Sequence, residues 1–275
     1  MSDYITKDDT IIFAPTFNKP LDLKLINKYK NLIFSDYSLF NQEVNNLPNS
    51  LTHLTFGHYF NQEVNNLPNS LMYLTFGWDF NQKVNNLPNS LKYLTFGGYF
   101  DQEVNNLPNS LTHLTFDYNF NQEVNNLPNS LTHLTFGWDF NQKVNNLPNS
   151  LTHLTFGCDF NQKIDLSFNI KYLTLNCHNQ YLIDNLPNSV EELELGYHFN
   201  LELNNIPSSI KKISFHINNE YDKELNCLPN FVELIQLPLK YDKKILKIPK
   251  LLNTVICSKD YKFIEDFHNL NVETY

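Results

Sequence analysis

The chain has 275 residues, 41 % of them hydrophobic and 14 % aromatic, which is enough apolar material for a continuous core. It carries 20 basic and 29 acidic groups, and every strong cation is a lysine because the sequence contains no arginine. An acidic chain without arginine argues against binding to nucleic acid or to an anionic membrane surface.

The N-terminal segment MSDYITKDDTIIF has no basic region followed by a long apolar run, so it predicts neither a signal peptide nor a transmembrane helix. Further along, IIFAPTFNKPL at 11–21 matches the second half of a unit that recurs downstream. Residues 1–24 are therefore predicted to form an N-terminal half-coil that caps the array.

A twenty-residue unit dominates residues 25–257. The dipeptide Leu-Pro falls at positions 47, 67, 87, 107, 127 and 147, and such a fixed period is typical of stacked repeats. Degenerate copies lie upstream, as LINKYKNLIF at 25–34, and downstream, beginning at Leu166, Leu186, Ile206, Leu228 and Ile248.

Each unit is predicted to form one coil. The triplet Leu54-Thr55-Phe56 alternates apolar, polar and apolar residues as a short strand does, and Gly57 is expected to release the chain into a turn. Pro68 then favours an extended return over a helix. Stacked coils place their strands in parallel about 4.8 Å apart, so like residues form columns, and stability belongs to the array.

The C-terminal segment, residues 258–275, differs from the repeats. Tyr261, Ile264, Phe267 and Leu270 follow helical spacing and predict a short capping helix. The fold class is accordingly mainly β: residues 1–275 form a single right-handed, leucine-rich-repeat-like solenoid with one short parallel strand per coil and extended convex returns.

The unit LPxSLxxLxFGxxFNQxV strongly resembles the FNIP repeat, a relative of leucine-rich repeats. The resemblance implies a protein of the type found in social amoebae and in giant viruses that infect amoebae. Some members of that family carry an N-terminal F-box that recruits a ubiquitin ligase. Here the repeat pattern begins at Ile11, so no such module is expected.

Two columns of residues are the candidate partner-binding site on the concave face. We call the first, on the strands, the strand column: His53, Tyr73, Tyr93, His113, His133 and His153. We call the second, just beyond the strands, the turn column: Trp78, Tyr118 and Trp138, with Asp79 and Asp139 beside it. Stiff aromatic side chains with polar tips suit protein recognition, although the same rings can serve only to stack between coils.

Two further columns carry structural predictions. Neighbouring protonated histidines repel, so part of the run His113, His133 and His153 is predicted to titrate below the usual histidine value. Asn61 and its equivalents are predicted to form a ladder that satisfies the backbone of the adjacent turn, with Asp101 breaking it once.

No catalytic constellation is visible. His, Ser and Asp are copied along the repeats, whereas a catalytic site needs a unique set of groups, and there is no Gly-rich phosphate loop. Four cysteines are too few for a disulfide framework, and no N-x-S/T acceptor is present, which favours an intracellular, cytoplasmic protein, or the host cytoplasm for a viral one. Cys158 and Cys177 share a column and leave a disulfide or a metal open, while Cys227 and Cys257 are predicted to be buried thiols.

The function that these observations favour is a non-enzymatic scaffold, without cofactor or metal, that binds a protein partner through its concave parallel sheet. The alternatives are a structural spacer without a specific ligand, or a component of a ubiquitin-ligase pathway that lacks an F-box. Neither nucleic acid nor a membrane is expected as a partner.

Overall fold

A computed structural model describes residues 2–166 and 169–275. The chain comprises two compact units, Met1–Ser150 and Leu151–Tyr275. Within each unit short strands follow one another in chain order in the sheet, with few helical residues. The degenerate repeat that begins at Leu166 has Ser167 and Phe168 outside the described residues.

The first unit contains eight strands and one short helix. These are β1 (Tyr4–Lys7), β2 (Thr10–Phe13), α1 (Leu23–Ile26), β3 (Asn31–Phe34), β4 (His53–Thr55), β5 (Tyr73–Thr75), β6 (Tyr93–Thr95), β7 (His113–Thr115) and β8 (His133–Thr135). Strand β1 runs antiparallel to β2, and every later strand is parallel to its predecessor. The predicted N-terminal half-coil thus contains a β-hairpin that covers the first edge of the sheet.

The register of the paired strands follows the twenty-residue period of the sequence without a shift. Leu54 pairs with Leu74, and Leu74 pairs with Leu94, so each residue faces its own copy in the next coil. Since a one-residue slip would turn the apolar side chains outwards, the buried Leu column holds this register. The prediction of a mainly β, parallel-strand solenoid is confirmed.

Phenylalanine rings fill the core of the first unit. In one coil Phe56 and Phe60 stack with ring centroids 3.6 Å apart, and Phe60 stacks on Phe80 of the next coil at 6.1 Å. These rings are essentially without solvent exposure. The same pairing recurs as Phe76 with Phe80, so the rings form two adjoining files through the unit.

An asparagine ladder runs along one corner of the coils. The Asn81 backbone N–H and the Gln82 side-chain amide both donate to Asn61 Oδ1, each at 3.0 Å. The ladder was predicted, but Asp101 does not break it: its Oδ1 accepts the equivalent bonds from Asn121 and Gln122, both at 2.9 Å. A carboxylate oxygen can accept the same two hydrogen bonds as an amide oxygen, so the substitution preserves the corner.

The second unit contains seven strands, one α-helix and one 3-10 turn. These are β9 (His153–Phe156), β10 (Tyr172–Leu175), α2 (Gln180–Asp184), β11 (Glu192–Leu195), β12 (Lys212–Phe215), β13 (Leu234–Gln236), β14 (Thr254–Cys257), the 3-10 helix Ile264–Phe267 and β15 (Asn271–Thr274). All successive strand pairs are parallel. Asn179 caps the N-terminus of helix α2, and its side chain accepts a hydrogen bond from the Leu182 N–H.

A file of three tyrosines takes the place of phenylalanine in part of the core of the second unit, where Phe199 and Phe215 are also buried. Tyr221, Tyr241 and Tyr261 stack on one another with centroids 6.1 Å apart at both steps. The Tyr241 and Tyr261 hydroxyls donate to the carbonyls of Lys223 and Lys243 at 3.2 and 2.7 Å. The file therefore keeps the spacing of the phenylalanine core while adding polar anchors.

The C-terminal cap differs from the predicted helix. Its helical part is the single 3-10 turn Ile264–Phe267, and the chain then forms strand β15, which pairs in parallel with β14. The Asn271 N–H donates to the Asn253 carbonyl at 2.8 Å. Pairing with β14 satisfies backbone groups that a longer helix would leave on an open sheet edge.

Candidate functional site

The strand column forms a continuous stack in the first unit. Ring centroids lie 4.1 Å apart between His53 and Tyr73, 4.5 Å between Tyr73 and Tyr93, 4.1 Å between Tyr93 and His113, and 4.0 Å between His113 and His133. The sixth member, His153, lies in the second unit, where it stacks on Tyr172 at 4.1 Å. Five of the six predicted residues thus share one file in the first unit.

Alternation along each strand turns these rings away from the core. In β5 the central Leu74 is buried, whereas Tyr73 is 36 % exposed. The two faces of the Tyr73 ring are covered by His53 and Tyr93 of the adjacent coils, and the ring edge remains accessible. The Thr75 position beside it is half-buried, as are its copies, so hydroxyls line the face next to the rings.

A neighbouring threonine orients each histidine. Thr52 Oγ1 and His53 Nδ1 share a hydrogen bond of 2.9 Å, and Thr112 with His113 repeats it. Burial lowers the pKa of His53 and of His133 below the ordinary histidine value. For His133 this direction agrees with the prediction, and the cause is loss of solvent around the ring.

The turn column lies beside this stack. Tyr118 and Trp138 are stacked at 5.5 Å, while the Trp78 indole leans over Gly98, where an added Cβ would lie 2.6 Å from the ring. Trp78 and Trp138 are 37 % and 38 % exposed. Because Gly98 has no side chain, the Trp78 indole can lie directly against it within the column.

Aspartate residues lie beside the rings of the turn column. Asp79 Oδ1 lies 3.6 Å from His58 Nε2, and the Asp139 backbone N–H donates to the Tyr118 carbonyl. Asp117 and Trp78 line a shallow groove of about 290 Å³ with Thr75 and Tyr37. Burial raises the pKa of Asp117 above its usual value.

Glycine at the strand end suits the close approach of successive coils. A Cβ on Gly77 would lie 2.0 Å from the Gly57 carbonyl oxygen, so successive coils are in backbone contact there. No glycine of residues 2–166 and 169–275 has a positive φ. The turn predicted after Gly57 is present: it includes residues 58 and 59, and the Phe60 N–H donates to the Gly57 carbonyl at 3.3 Å.

Sequence reasoning overlooked two residues of this face. Tyr37 is 75 % exposed and stacks on His58 at 6.2 Å, but two extra residues before Phe40 displace it from the repeat frame. Asp117 stands where the neighbouring copies have glycine. Asp117 is the one exception in the column of glycines from Gly57 to Gly157, and this exception is the signal that marks it.

The cysteines are free thiols. Burial is the main cause that raises the pKa of Cys177 to about 11, and it also raises that of the half-buried Cys158. Cys257 is buried as predicted, but Cys227 is exposed, because it lies in a turn at the surface rather than in the core. Within the described part of the chain, no three His, Cys, Asp or Glu side chains are grouped to hold a metal ion.

Stacked parallel coils with an open sheet face define a repeat scaffold of the leucine-rich-repeat type, a fold typical of protein–protein interaction. The FNIP Repeat family matches residues 40–77, 60–99, 80–116, 100–126, 120–159, 160–198 and 178–218. These segments cover more than half of the chain, which therefore belongs to the FNIP repeat family.

Solved structures that are similar to the chain include the following two. One is CroV588 from a giant virus, described as a novel circular LRR protein structure, with 34 % identity, a TM-score of 0.68, and coverage of 94 % of this chain and 51 % of that one. Another is YopM from Yersinia enterocolitica, with 16 % identity, a TM-score of 0.46, and coverage of 88 % and 54 %. The chain thus spans about half the length of either structure.

No curated protein matches the sequence. Across the described residues, the helices are all too short or too polar to cross a membrane.

Proposed function

We propose that the chain is a non-catalytic scaffold that binds a protein partner through the aromatic face of its first unit. We define this aromatic face as the strand-column and turn-column residues of that unit: His53, Tyr73, Tyr93, His113, His133, Trp78, Tyr118 and Trp138. The observation that carries the proposal is the unbroken file of half-exposed rings on the outer side of β4–β8.

Stacking makes this face rigid before any partner arrives. Tyr73, Tyr93 and His113 each lie between two stacked rings at 4.0–4.5 Å, so binding orders few additional side chains. Aromatic side chains that are already ordered supply contact area at a low entropic cost. Tyrosine and tryptophan are also enriched among residues that dominate binding energy.

The polar groups beside the rings give the face a means of discrimination. Thr75 and its copies offer hydroxyls, and Asp79 and Asp117 offer carboxylates. A partner must match these groups to avoid leaving them desolvated and unpaired. Ring area therefore supplies affinity and the polar rim supplies specificity.

A paired set of variants tests this proposal. In the test variant Trp78, Tyr118 and Trp138 are all replaced by Ser, and in the control variant the exposed Tyr181, Phe231 and Leu246 of the second unit are replaced by Ser. Proximity labelling with the wild-type chain identifies candidate partners, and isothermal titration with each purified candidate measures its affinity.

We expect the test variant to lose at least about tenfold in affinity, because truncation of one buried aromatic anchor often costs more than 1 kcal/mol. The control variant is expected to bind as the wild type does. Circular dichroism verifies that both remain folded. Equal binding by all three proteins would refute the aromatic face as the docking surface.

The close ring stacking also favours a second candidate, a structural spacer in which the rings serve only to join coils. A Tyr73→Ser, Tyr93→Ser double variant separates the two. A cooperative loss of folding, without any partner that depends on the face, would support the spacer. A folded variant that has lost its partner would support recognition.

A further inference from the structure

The outer sheet face of the second unit carries a polar row that the first unit lacks. Register aligns Thr174, Glu194, Ser214 and Gln236 on the four adjacent strands β10–β13. In the first unit the same position is threonine from Thr55 to Thr135. Four hydrogen-bonding side chains of different kinds thus replace a uniform threonine column.

A cavity of about 360 Å³ opens above this row. Tyr172 and Lys212 from the neighbouring column line it with the four members of the row. One face of Tyr172 is covered by His153 at 4.1 Å, and the residue is 39 % exposed. The cavity therefore combines polar groups with an aromatic ring.

Charge in the cavity is unbalanced at a single group. Lys212 is paired with Glu192 at 3.2 Å, so those two charges offset each other. Glu194 accepts a hydrogen bond from the Thr174 hydroxyl at 3.3 Å, but no cation of the described residues lies within ion-pair distance of it. One net negative charge remains, and it is that of Glu194.

Ser214 supplies an independent sign of a missing partner. The residue is only 9 % exposed, lines the cavity between Glu194 and Gln236, and its Oγ has no hydrogen-bond partner. A buried hydroxyl without a partner is costly, whereas most such groups in proteins are satisfied. Gln236 donates its amide to the Phe215 carbonyl at 3.2 Å, which leaves its Oε1 as a further acceptor.

We propose that this row binds the guanidinium group of an arginine side chain presented by a peptide. Glu194, Ser214 and Gln236 offer acceptor oxygens on successive strands about 4.8 Å apart, which suits a planar donor with five N–H groups better than a compact ammonium. Tyr172 offers an aromatic surface for the same cation. Because the chain contains no arginine, the ligand must come from another molecule.

This arginine site lies in the second unit and does not rest on the aromatic face of the first. Its test needs only the purified chain and a small probe, so failure of the partner-binding proposal would leave the result interpretable.

Amide chemical shifts of the full chain, followed during titration with N-acetyl-arginine amide, test the site. N-acetyl-lysine amide and N-acetyl-citrulline amide serve as matched probes that alter the shape of the cation or remove its charge. We expect saturable shifts at Thr174, Glu194 and Ser214 with the arginine probe, binding at least fivefold weaker with the lysine probe, and no saturation with the citrulline probe.

Two variants locate the binding. Glu194→Gln keeps the side-chain shape and is expected to weaken the arginine probe at least tenfold, and Ser214→Ala is expected to weaken it while leaving the fold intact. The control Glu202→Gln removes the same charge from an exposed residue outside the cavity and is expected to change nothing. Equal binding of the arginine and lysine probes, or binding unaffected by Glu194→Gln, would overturn the proposal.

Discussion

The two units build the same coil with different side-chain chemistry. In the first unit, rings stack on identical or similar rings, both in the core and on the outer face. In the second unit, charged pairs join adjacent coils: Glu191 contacts both Lys171 and Lys211, and Glu192 contacts Lys212. Yet the parallel register is equally regular in both.

This difference separates what the architecture requires from what it tolerates. Backbone pairing and a buried aliphatic residue in the strand are common to both units, as at Leu54 and Ile213. The residues that face outwards vary freely, because they contribute to the surface rather than to the register. Recognition chemistry can therefore differ between the units without a change of fold.

The largest expected effect concerns the core. Phe96→Ala should lower the free energy of unfolding by about 4 kcal/mol, and Leu195→Ala, at the same place in its coil, by about 3 kcal/mol, since both are fully buried and the phenylalanine leaves the larger cavity. Urea denaturation measures both losses. As a control, Tyr99→Ala removes an exposed ring and should cost less than about 1 kcal/mol. A larger loss from Leu195→Ala would show that the ring files are not the stronger core.

The asparagine corner gives the next effect. Asn61→Ala removes the acceptor of two hydrogen bonds and should cost about 2 kcal/mol, whereas Asn200→Ala in the second unit removes one, to the Asp222 N–H, and should cost about 1 kcal/mol. Asn61→Asp should be nearly neutral, because Asp101 already serves this role. Denaturant titration of all three measures the order, and a costly Asn61→Asp would contradict the equivalence of the two acceptors.

The tyrosine file allows a comparison within the second unit. Tyr261→Phe removes a 2.7 Å hydrogen bond to the Lys243 carbonyl and should destabilise the protein by about 1 kcal/mol. Tyr221→Phe removes a buried hydroxyl that has no partner and should be neutral or stabilising. Thermal denaturation of the two variants measures this contrast, and equal destabilisation would contradict it.

The smallest expected effect is on pH dependence. Burial lowers the pKa of His53 and His133 in the folded chain, so the unfolded chain binds protons more readily as the pH falls below the ordinary histidine pKa. Their contribution to stability is therefore present above that pKa and is lost as the pH falls through the folded-state values. A His53→Gln, His133→Gln variant should show a smaller decrease in Tm than the wild type between pH 7.5 and 5.5. An unchanged dependence of Tm on pH would show that these two histidines do not make the protein sensitive to acid.

Much of the fold could be predicted because each twenty-residue repeat has a copy of itself as its neighbour. The period fixed which residues face each other, so Leu54 on Leu74 and Asn61 against Asn81 followed from spacing alone. The ends could not be predicted in the same way. Residues near Ile264 have no following copy, so their apolar spacing was open to a longer helix, and β15 was missed.

The outer faces were predicted only in part. The strand column followed from alternation, but the lack of room for a Cβ at Gly77 depends on how closely two backbones approach. Likewise, the unpartnered hydroxyl of Ser214 depends on its neighbours Glu194 and Gln236, which the repeat does not specify. Sequence columns predict which residues are adjacent, whereas the balance of donors and acceptors requires coordinates.

The corner amides also bear on how such a chain can change in length. The Asn61 side chain accepts a hydrogen bond from the following coil, and its own backbone N–H donates to Asn41 of the preceding coil. Each repeat therefore has a donor for the coil before it and an acceptor for the coil after it. A repeat inserted by tandem duplication of its gene segment would form both hydrogen bonds with its new neighbours. The array can therefore grow or shrink by whole repeats during evolution without any compensating mutation at the new junction.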